Sequence, residues 1–248
     1  MRIAQLLVKP ALGKPMRPVE TLELRRGYGV VGDANAAVGS PRQILIVDAV
    51  TLNQFDLMPG QLRENVVLES TPQPLRSGQV LQLGSEAFIR LTIPCEPCAY
   101  LNQIRPGLAK QIQHHRGFLG IVIRSGNVTV GDVAALTPYQ FPVIPETTRG
   151  KFDQFVARIP PGKVVSTTHL LLALGLTQSY YRTFPALLKK SPTDLPVHRV
   201  VAADGSLITK HMPDQYEALQ NEGVKVVDNR VSPDHFWEAI AFHELGDF

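Results

Sequence analysis

The segment LTPYQFPVIPETTRG, residues 136–150, divides the chain into halves with different hydrophobic periods. It holds three prolines and almost no periodicity, so it reads as a linker over 139–149. The two patterns call for separate cores, and 248 residues are enough for two domains. The expected units are 1–138 and 150–248.

Before the linker, short apolar runs recur between Gly, Pro and Asp: RIAQLLV, QILIVD, ENVVL, QVLQLG, AFIRLTI, LGIVIRSG and DVAAL. These have strand length, and IRSGNVTVGD reads as a hairpin turning at Ser125-Gly126-Asn127. Helical pattern is limited to VDAVTLNQFD and GLAKQIQHHR. Many short strands at close spacing predict a mostly-β closed barrel, which leaves no edge unpaired.

After the linker the period changes. GKFDQFVARIPPGKV places Phe152, Phe155, Val156 and Ile159 on one helix face, stopped by two prolines. STTHLLLALGL opens on a serine cap and ends at Gly175. TQSYYRTFPALLKKSP reads as a third helix, carrying Arg182, Lys189 and Lys190. VHRVVAADGSLIT reads as a two-stranded turn closed by Asp204-Gly205, and PDQYEALQNEGV as a helix led by Pro213. Short helices with a hairpin have the layout of a winged helix-turn-helix, an α+β unit.

The net charge of +3 argues for no partner by itself. Its distribution says more: residues 149–210 hold nine basic and three acidic side chains, and the last 38 residues hold two and eight. The basic stretch fits a nucleic-acid footprint or a solvated face, and it is followed by an acidic C-terminal tail. No uncharged apolar run reaches about 18 residues, so no membrane span is expected. MRIAQLLVKPALGKP lacks the apolar core of a leader, so the expected compartment is cytoplasmic, with reduced thiols.

Both cysteines lie in RLTIPCEPCAYLNQIRPG, as Cys95 and Cys98. Four readings are open. A structural zinc needs about four ligands, and the adjacent His114 and His115 diverge on a helix. A redox pair is supported by the proline before the second cysteine, although such motifs sit in α/β units. Two buried inert thiols are the third reading, and one working thiol beside a neighbour is the fourth. A working thiolate requires positive potential; Arg42, Arg63, Arg105 and Arg116 are candidates, and arginines also suit a phosphate.

Set together, GVVGDANAAVGSPRQILIV, PGQLRENVVL, SGQVLQLGSEAFIRLTIPCEPC and RGFLGIVIRSGNVTVGD resemble the MOSC domain. That family is named for the carboxy-terminal part of molybdenum-cofactor sulfurase. The resemblance covers residues 1–138. It implies a β-barrel that binds the molybdenum cofactor (molybdopterin), or carries sulfur, through one cysteine. It places that thiol at Cys98, as molybdenum ligand or sulfur acceptor, with Cys95 able to form a reversible disulfide to it. A thiolate is a soft ligand suited to the metal and can also hold a persulfide sulfur. Asp33, Arg42, Arg63 and Asn65 are then candidate cofactor contacts. Asp33, Glu64 and Asn65 read equally well as a turn former and a pair that holds loops together. The family's Gly-Asp-x-His stretch reads Gly32, Asp33, Ala34, Asn35 here, so a histidine is missing.

FDQFVARIPPGKVVSTTHLLLALGL, YYRTFPALLKKSPTDLPVHRVVAADGSL and ALQNEGV are similar to the DNA-binding domain of O6-alkylguanine-DNA alkyltransferases. The similarity is nearer still to alkyltransferase-like proteins, which lack the reactive cysteine, and covers residues 150–238. Arg182 matches the arginine that fills the gap left by a flipped base. Lys189, Lys190 and Arg199 are further candidate DNA contacts. His198 and Glu222 match the base and partner that activate the thiol, but Val197 stands in the nucleophile's place and has no lone pair. Thr167 replaces the tyrosine expected to press on the DNA backbone. Pro185 replaces a glycine in the recognition helix, where it should cause a kink, and Ser191 replaces the asparagine before Pro192.

Two functions follow as expectations. In the first, a molybdenum-cofactor or sulfur-carrying protein, of the kind that in some MOSC proteins reduces N-hydroxylated substrates, bears an inactive alkyltransferase-like domain. Its partners would be the cofactor or a sulfur donor, and double-stranded DNA with alkylated guanine. In the second, the chain is a non-catalytic lesion sensor whose barrel is a folded attachment.

Overall fold

The computed structural model describes residues 1–238 together with 241 and 243. It separates into two compact units with the boundary between Ile144 and Pro145. Residues just before that boundary belong to the first unit, because Ile144 is buried in its core and its amide donates to Ser77 Oγ at 3.0 Å. No helix among the described residues is long and apolar enough to cross a membrane. Positions 239, 240, 242 and 244–248 of the acidic tail lie outside the described residues.

The first unit is mostly strand: β1 Ile3–Val8, β2 Arg17–Val19, β3 Thr21–Arg25, β4 Gly29–Val30, β5 Ile44–Asp48, β6 Val66–Leu68, β7 Gln79–Leu83, β8 Ala87–Pro94, β9 Phe118–Arg124, β10 Gly126–Thr129 and β11 Ala134–Gln140. Three short helices interrupt them: α1 Ala49–Gln54, α2 Leu101–Ile104 and α3 Leu108–Gln111. Eight strands make one sheet in the order β11-β7-β8-β9-β5-β6-β1-β2, and β10-β3-β4 make a second.

The sheets do not close into the expected barrel. β11 and β2 remain edges of the large sheet, and each contains a proline, Pro138 or Pro18. Proline has no N–H to donate to a further ladder, so neither edge is suited to accept another strand. An isolated bridge, Arg2 with Val133, joins the leading end of β1 to the residue before β11 without extending into a ladder. The expected hairpin at IRSGNVTVGD also fails. Only Ser125 separates β9 from β10, too little chain for a reversing turn, and β10 pairs instead with β3 in the other sheet.

The run ILIVD in β5 shows why the large sheet carries so many consecutive apolar residues. Ile44 and Ile46 face one core cluster with Leu24, Leu81 and Val122. Leu45 and Val47 face a second, with Leu52, Leu101, Leu108 and Ile112 from the helices. Both faces are therefore covered, and alternation along the strand gives way to continuous hydrophobicity.

The second unit contains α4 Thr148–Val156, β12 Val165–Ser166, α5 Thr167–Ala173, a 3-10 turn Gln178–Thr183, α6 Phe184–Lys189, β13 Val200–Val201, α7 Gln215–Asn221, β14 Val226–Val227 and β15 Arg230–Val231. Phe152, Phe155, Val156 and Ile159 are buried together, as the period predicted. Ser166 caps α5 by accepting from the His169 amide at 3.3 Å, and Gly175 follows the helix with φ +66°.

Two local expectations change here. VHRVVAADGSLIT is not a hairpin: Val200 and Val201 pair in parallel with Val165 and Ser166, while Asp204-Gly205 only turns the chain. The hairpin is β14–β15, turned by Asp228 and Asn229 at φ 48° and 62°, the two positive values that a type I′ turn requires. The third helix is also divided. Its first part is the 3-10 turn, and Pro185 lies in the first turn of α6, where a missing N–H costs little.

Candidate functional site

The thiol segment leaves β8 at Pro94. Cys95 is 7% exposed in the helix-covered core, and its amide donates to the Gly117 carbonyl at 3.0 Å. Gly117 has φ +83°, and a Cβ there would lie 2.3 Å from the Ile46 carbonyl oxygen, so only glycine permits this approach. Cys98, three residues on, is exposed, and both thiols are free.

Two of the four expected arginines act on the Cys95 sulfur. Burial pushes the Cys95 thiol above its ordinary value, opposed by the charges of Arg116 and then Arg42. Arg116 is itself buried; its Nη1 donates to the Glu96 carbonyl, and its Nη2 to that of Leu62 at 3.5 Å. Its Nε and that of Arg42 are buried with no partner among the described residues. Glu64, fully buried, accepts from the Gly60 amide through Oε1 and leaves Oε2 unpartnered. Burial raises its carboxyl, and the amides of Gly60, Glu64 and Leu62 together with Arg116 oppose this only in part. Arg63 and Arg105 have partners of their own: Arg63 lies 3.6 Å over the Tyr100 ring, and Arg105 donates to the Phe55 carbonyl at 3.0 Å.

Asp33 and Asn65 bond each other. Asp33 Oδ2 accepts from Asn65 Nδ2 and from the Lys9 amide, both at 2.8 Å, and Oδ1 accepts from the Asn35 amide. Asn65 Oδ1 takes the Leu45 amide at 3.1 Å. This buried pair ties two loops to the sheet, the loop-holding alternative for these residues. No group of three or more His, Cys, Asp or Glu among the described residues could hold a metal ion, and His114 and His115 are exposed.

In the second unit Val197, His198 and Arg199 form a 3-10 turn facing Glu222, which caps the end of α7. Glu222 Oε1 accepts from His198 Nε2 and Arg199 Nη2, each at 2.7 Å; Oε2 accepts from the Gly162 amide and Arg199 Nε, each at 3.0 Å. Burial alone would raise this carboxyl, but the bonds from Arg199, His198 and Gly162 outweigh it and hold the pKa at about 2. An ionised carboxylate only accepts, so His198 donates through Nε2. Buried Gln215 fixes the same turn, donating to the carbonyls of His198 at 2.9 Å and Val200 at 2.8 Å.

The expected DNA contacts separate likewise. Arg182, Lys189 and Lys190 are exposed. Arg199 faces inward, with Nη1 donating to the Ile159 carbonyl at 2.6 Å. Thr167 is buried in the first turn of α5, and Ser191 bonds the Leu187 carbonyl at 2.8 Å. The sequence reading missed Tyr100, Gln215 and Gly162. Hydrophobic period carries no trace of such bonds between elements, although the glycine after paired prolines in IPPGKV was a usable signal for Gly162.

The model of the MOSC domain matches residues 34–135, and that of the 6-O-methylguanine DNA methyltransferase DNA-binding domain matches residues 149–224. The chain carries both domains. No curated protein matches it. Among solved structures, it is 18% identical to the YUAD protein of Bacillus subtilis, covering 57% of this chain and 96% of that one, with a TM-score of 0.48. It is 22% identical to YiiM from Escherichia coli, covering 75% and 92%, with a TM-score of 0.44. S. pombe Atl1, in complex with damaged DNA containing O6-carboxymethylguanine, is 24% identical over 36% of this chain and 94% of its own, with a TM-score of 0.32.

Proposed function

We propose that this chain joins a thiol site for the molybdenum cofactor, or for a carried sulfur, to a DNA-holding unit that transfers no alkyl group. The observation that carries the reading is the exposed Cys98 following buried Cys95, whose surroundings keep two unpartnered arginine nitrogens. Those orphaned donors fit an anionic group, as the cofactor's phosphate is, and an exposed soft thiol fits its metal. Cys98 would be the ligand, with Arg42 and Arg116 holding the anionic end. When bound, the cofactor would supply two-electron redox chemistry. The protein's own part is to hold the thiol at the surface and to keep the buried Glu64 carboxyl near the Arg116 charge.

In the second unit, Val197 removes the nucleophile while His198 and Glu222 remain bonded, which supports retention of the fold without transfer. The match to a DNA-binding domain and the exposed Arg182, Lys189 and Lys190 support double-stranded DNA as partner. The resemblance of this unit to alkyltransferase-like proteins supports alkylated guanine as the lesion. The internal Asp33–Asn65 bond instead favours the second reading, a lesion sensor with a structural first unit, because it removes two candidate cofactor contacts.

The test is metal analysis of protein made in cells able or unable to build the pterin cofactor, with mass spectrometry of co-purifying ligands. Molybdenum in the first preparation alone supports the cofactor reading, and a persulfide on Cys98 supports sulfur carriage. Neither mark in either preparation leaves the sensor.

A further inference from the structure

Arg182 stands on the 3-10 turn Gln178–Thr183, a segment with no side-chain cap and poorer hydrogen-bond geometry than an α-helix. Its side chain is exposed and makes no hydrogen bond or ion pair among the described residues. A free arginine on a weakly formed turn would wander, which would lower its effectiveness at a single place on DNA. One contact opposes this. Tyr181, the residue before it, places its hydroxyl 2.5 Å from Thr168 Oγ1 on the first turn of α5. The Tyr181 ring is half-buried edge-on to Phe184, at 6.0 Å between centroids, so the residue is anchored at both ends. Thr183 Oγ1 also bonds back to the Tyr180 carbonyl at 2.7 Å, within the turn itself.

Resting on the DNA-binding reading above, we propose that the Thr168–Tyr181 hydroxyl pair is a strut between α5 and the 3-10 turn that positions Arg182 for DNA. The strut acts through Arg182 and carries no charge.

The test uses the full chain with Tyr181→Phe, Thr168→Val, the double variant of these two, and Arg182→Ala alone and combined with Tyr181→Phe. Binding to duplexes with and without O6-methylguanine is measured by anisotropy across a salt series, and amide exchange is followed over residues 178–183 of the free protein. Each strut variant is expected to weaken lesion-duplex binding by about threefold to tenfold, as loss of one exposed hydrogen bond does. The double variant should lose no more than either single one, and the salt slope should stay unchanged, because no cation is removed. Arg182→Ala should cost less in the Tyr181→Phe background, and exchange at 178–183 should quicken in both single variants. Unchanged exchange overturns the strut, whatever happens with DNA. A loss confined to Tyr181→Phe also overturns it, since that hydroxyl would then touch DNA directly. If the unaltered protein binds no duplex while exchange quickens as expected, the DNA reading has failed, and the positioning role is overturned with it.

Discussion

Each unit sets one buried or half-buried glutamate against an arginine, with opposite outcomes. Glu222 meets His198, Arg199 and the Gly162 amide, and its pKa falls to about 2. Glu64 has an amide on one oxygen and no partner on the other, and burial raises its pKa despite Arg116. Satisfied carboxylates hold elements together, here the loop at Gly162, the 3-10 turn at 197–199 and the end of α7. Unsatisfied polar groups are costly, and a folded protein that keeps several in one place has some other use for them. Glu222 thus has the bonding of an architectural residue, while Glu64 and its surroundings are where the ligand site proposed above would lie.

The largest expected effect tests the site side of that contrast. Cys98→Ser should abolish cofactor or sulfur loading, while Cys95→Ser leaves most of it, as read by molybdenum content and thiol mass. If Cys95 alone proves essential, the working sulfur is the buried one beside Arg42 and Arg116, and the exposed thiol is incidental.

Next comes the architectural side. Glu222→Ala leaves Arg199 without its partner and should destabilise the second unit by about 2–3 kcal/mol in denaturant unfolding; the partial exposure of the pair keeps this below the full cost of a buried one. The pH dependence has a definite sign. Because the folded pKa is depressed from 4.5 to about 2, the stabilisation is complete above 4.5 and is lost as pH falls toward 2. Glu222→Gln should remove that slope.

Glu64 should behave in the reverse sense, with a smaller effect. Its folded pKa lies above the ordinary 4.5, so its contribution is present below that value and is lost as pH rises through the folded one. Glu64→Gln cannot ionise and should remove the loss of stability that sets in as pH rises above 4.5. An acid-side loss in this variant, like that expected at Glu222, would erase the contrast.

Much of this was legible in the chain. Ser166, Gly175 and the row Phe152, Phe155, Val156 and Ile159 are local signals, and each had its expected place. Sheet closure was not legible, because strand spacing does not say which edges meet; Pro18 and Pro138 were the available hints. Asp204-Gly205 looked the better hairpin turn, yet Asp228-Asn229 forms it without glycine between strands of two residues. The sequence also hid the fates of Cys95 and Arg199. Three-residue spacing does not tell which thiol faces out, and an arginine counted in a basic stretch gives no sign that its partner lies 23 residues away.

The smallest effect expected is that of Val197→Cys, and it probes whether the Glu222 network still serves chemistry. The substitution supplies a sulfur next to His198, which remains bonded to Glu222 at 2.7 Å. A base and its orienting carboxylate are therefore present, and slow reaction with free O6-benzylguanine is expected. Duplex DNA demands more, because the nucleotide must leave the stack at a cost of a few kcal/mol. Thr167 is buried and offers no ring to press on the backbone, and Arg182 stands on a 3-10 turn instead of a continuous helix. Without those aids the new thiol should show no measurable transfer from alkylated duplex, followed as alkyl mass on the protein. Rapid stoichiometric transfer would mean that the flipping parts are intact despite Thr167 and the divided helix. Glu222 would then count as a site residue as well as an architectural one, and the division between the two glutamates would have to be redrawn.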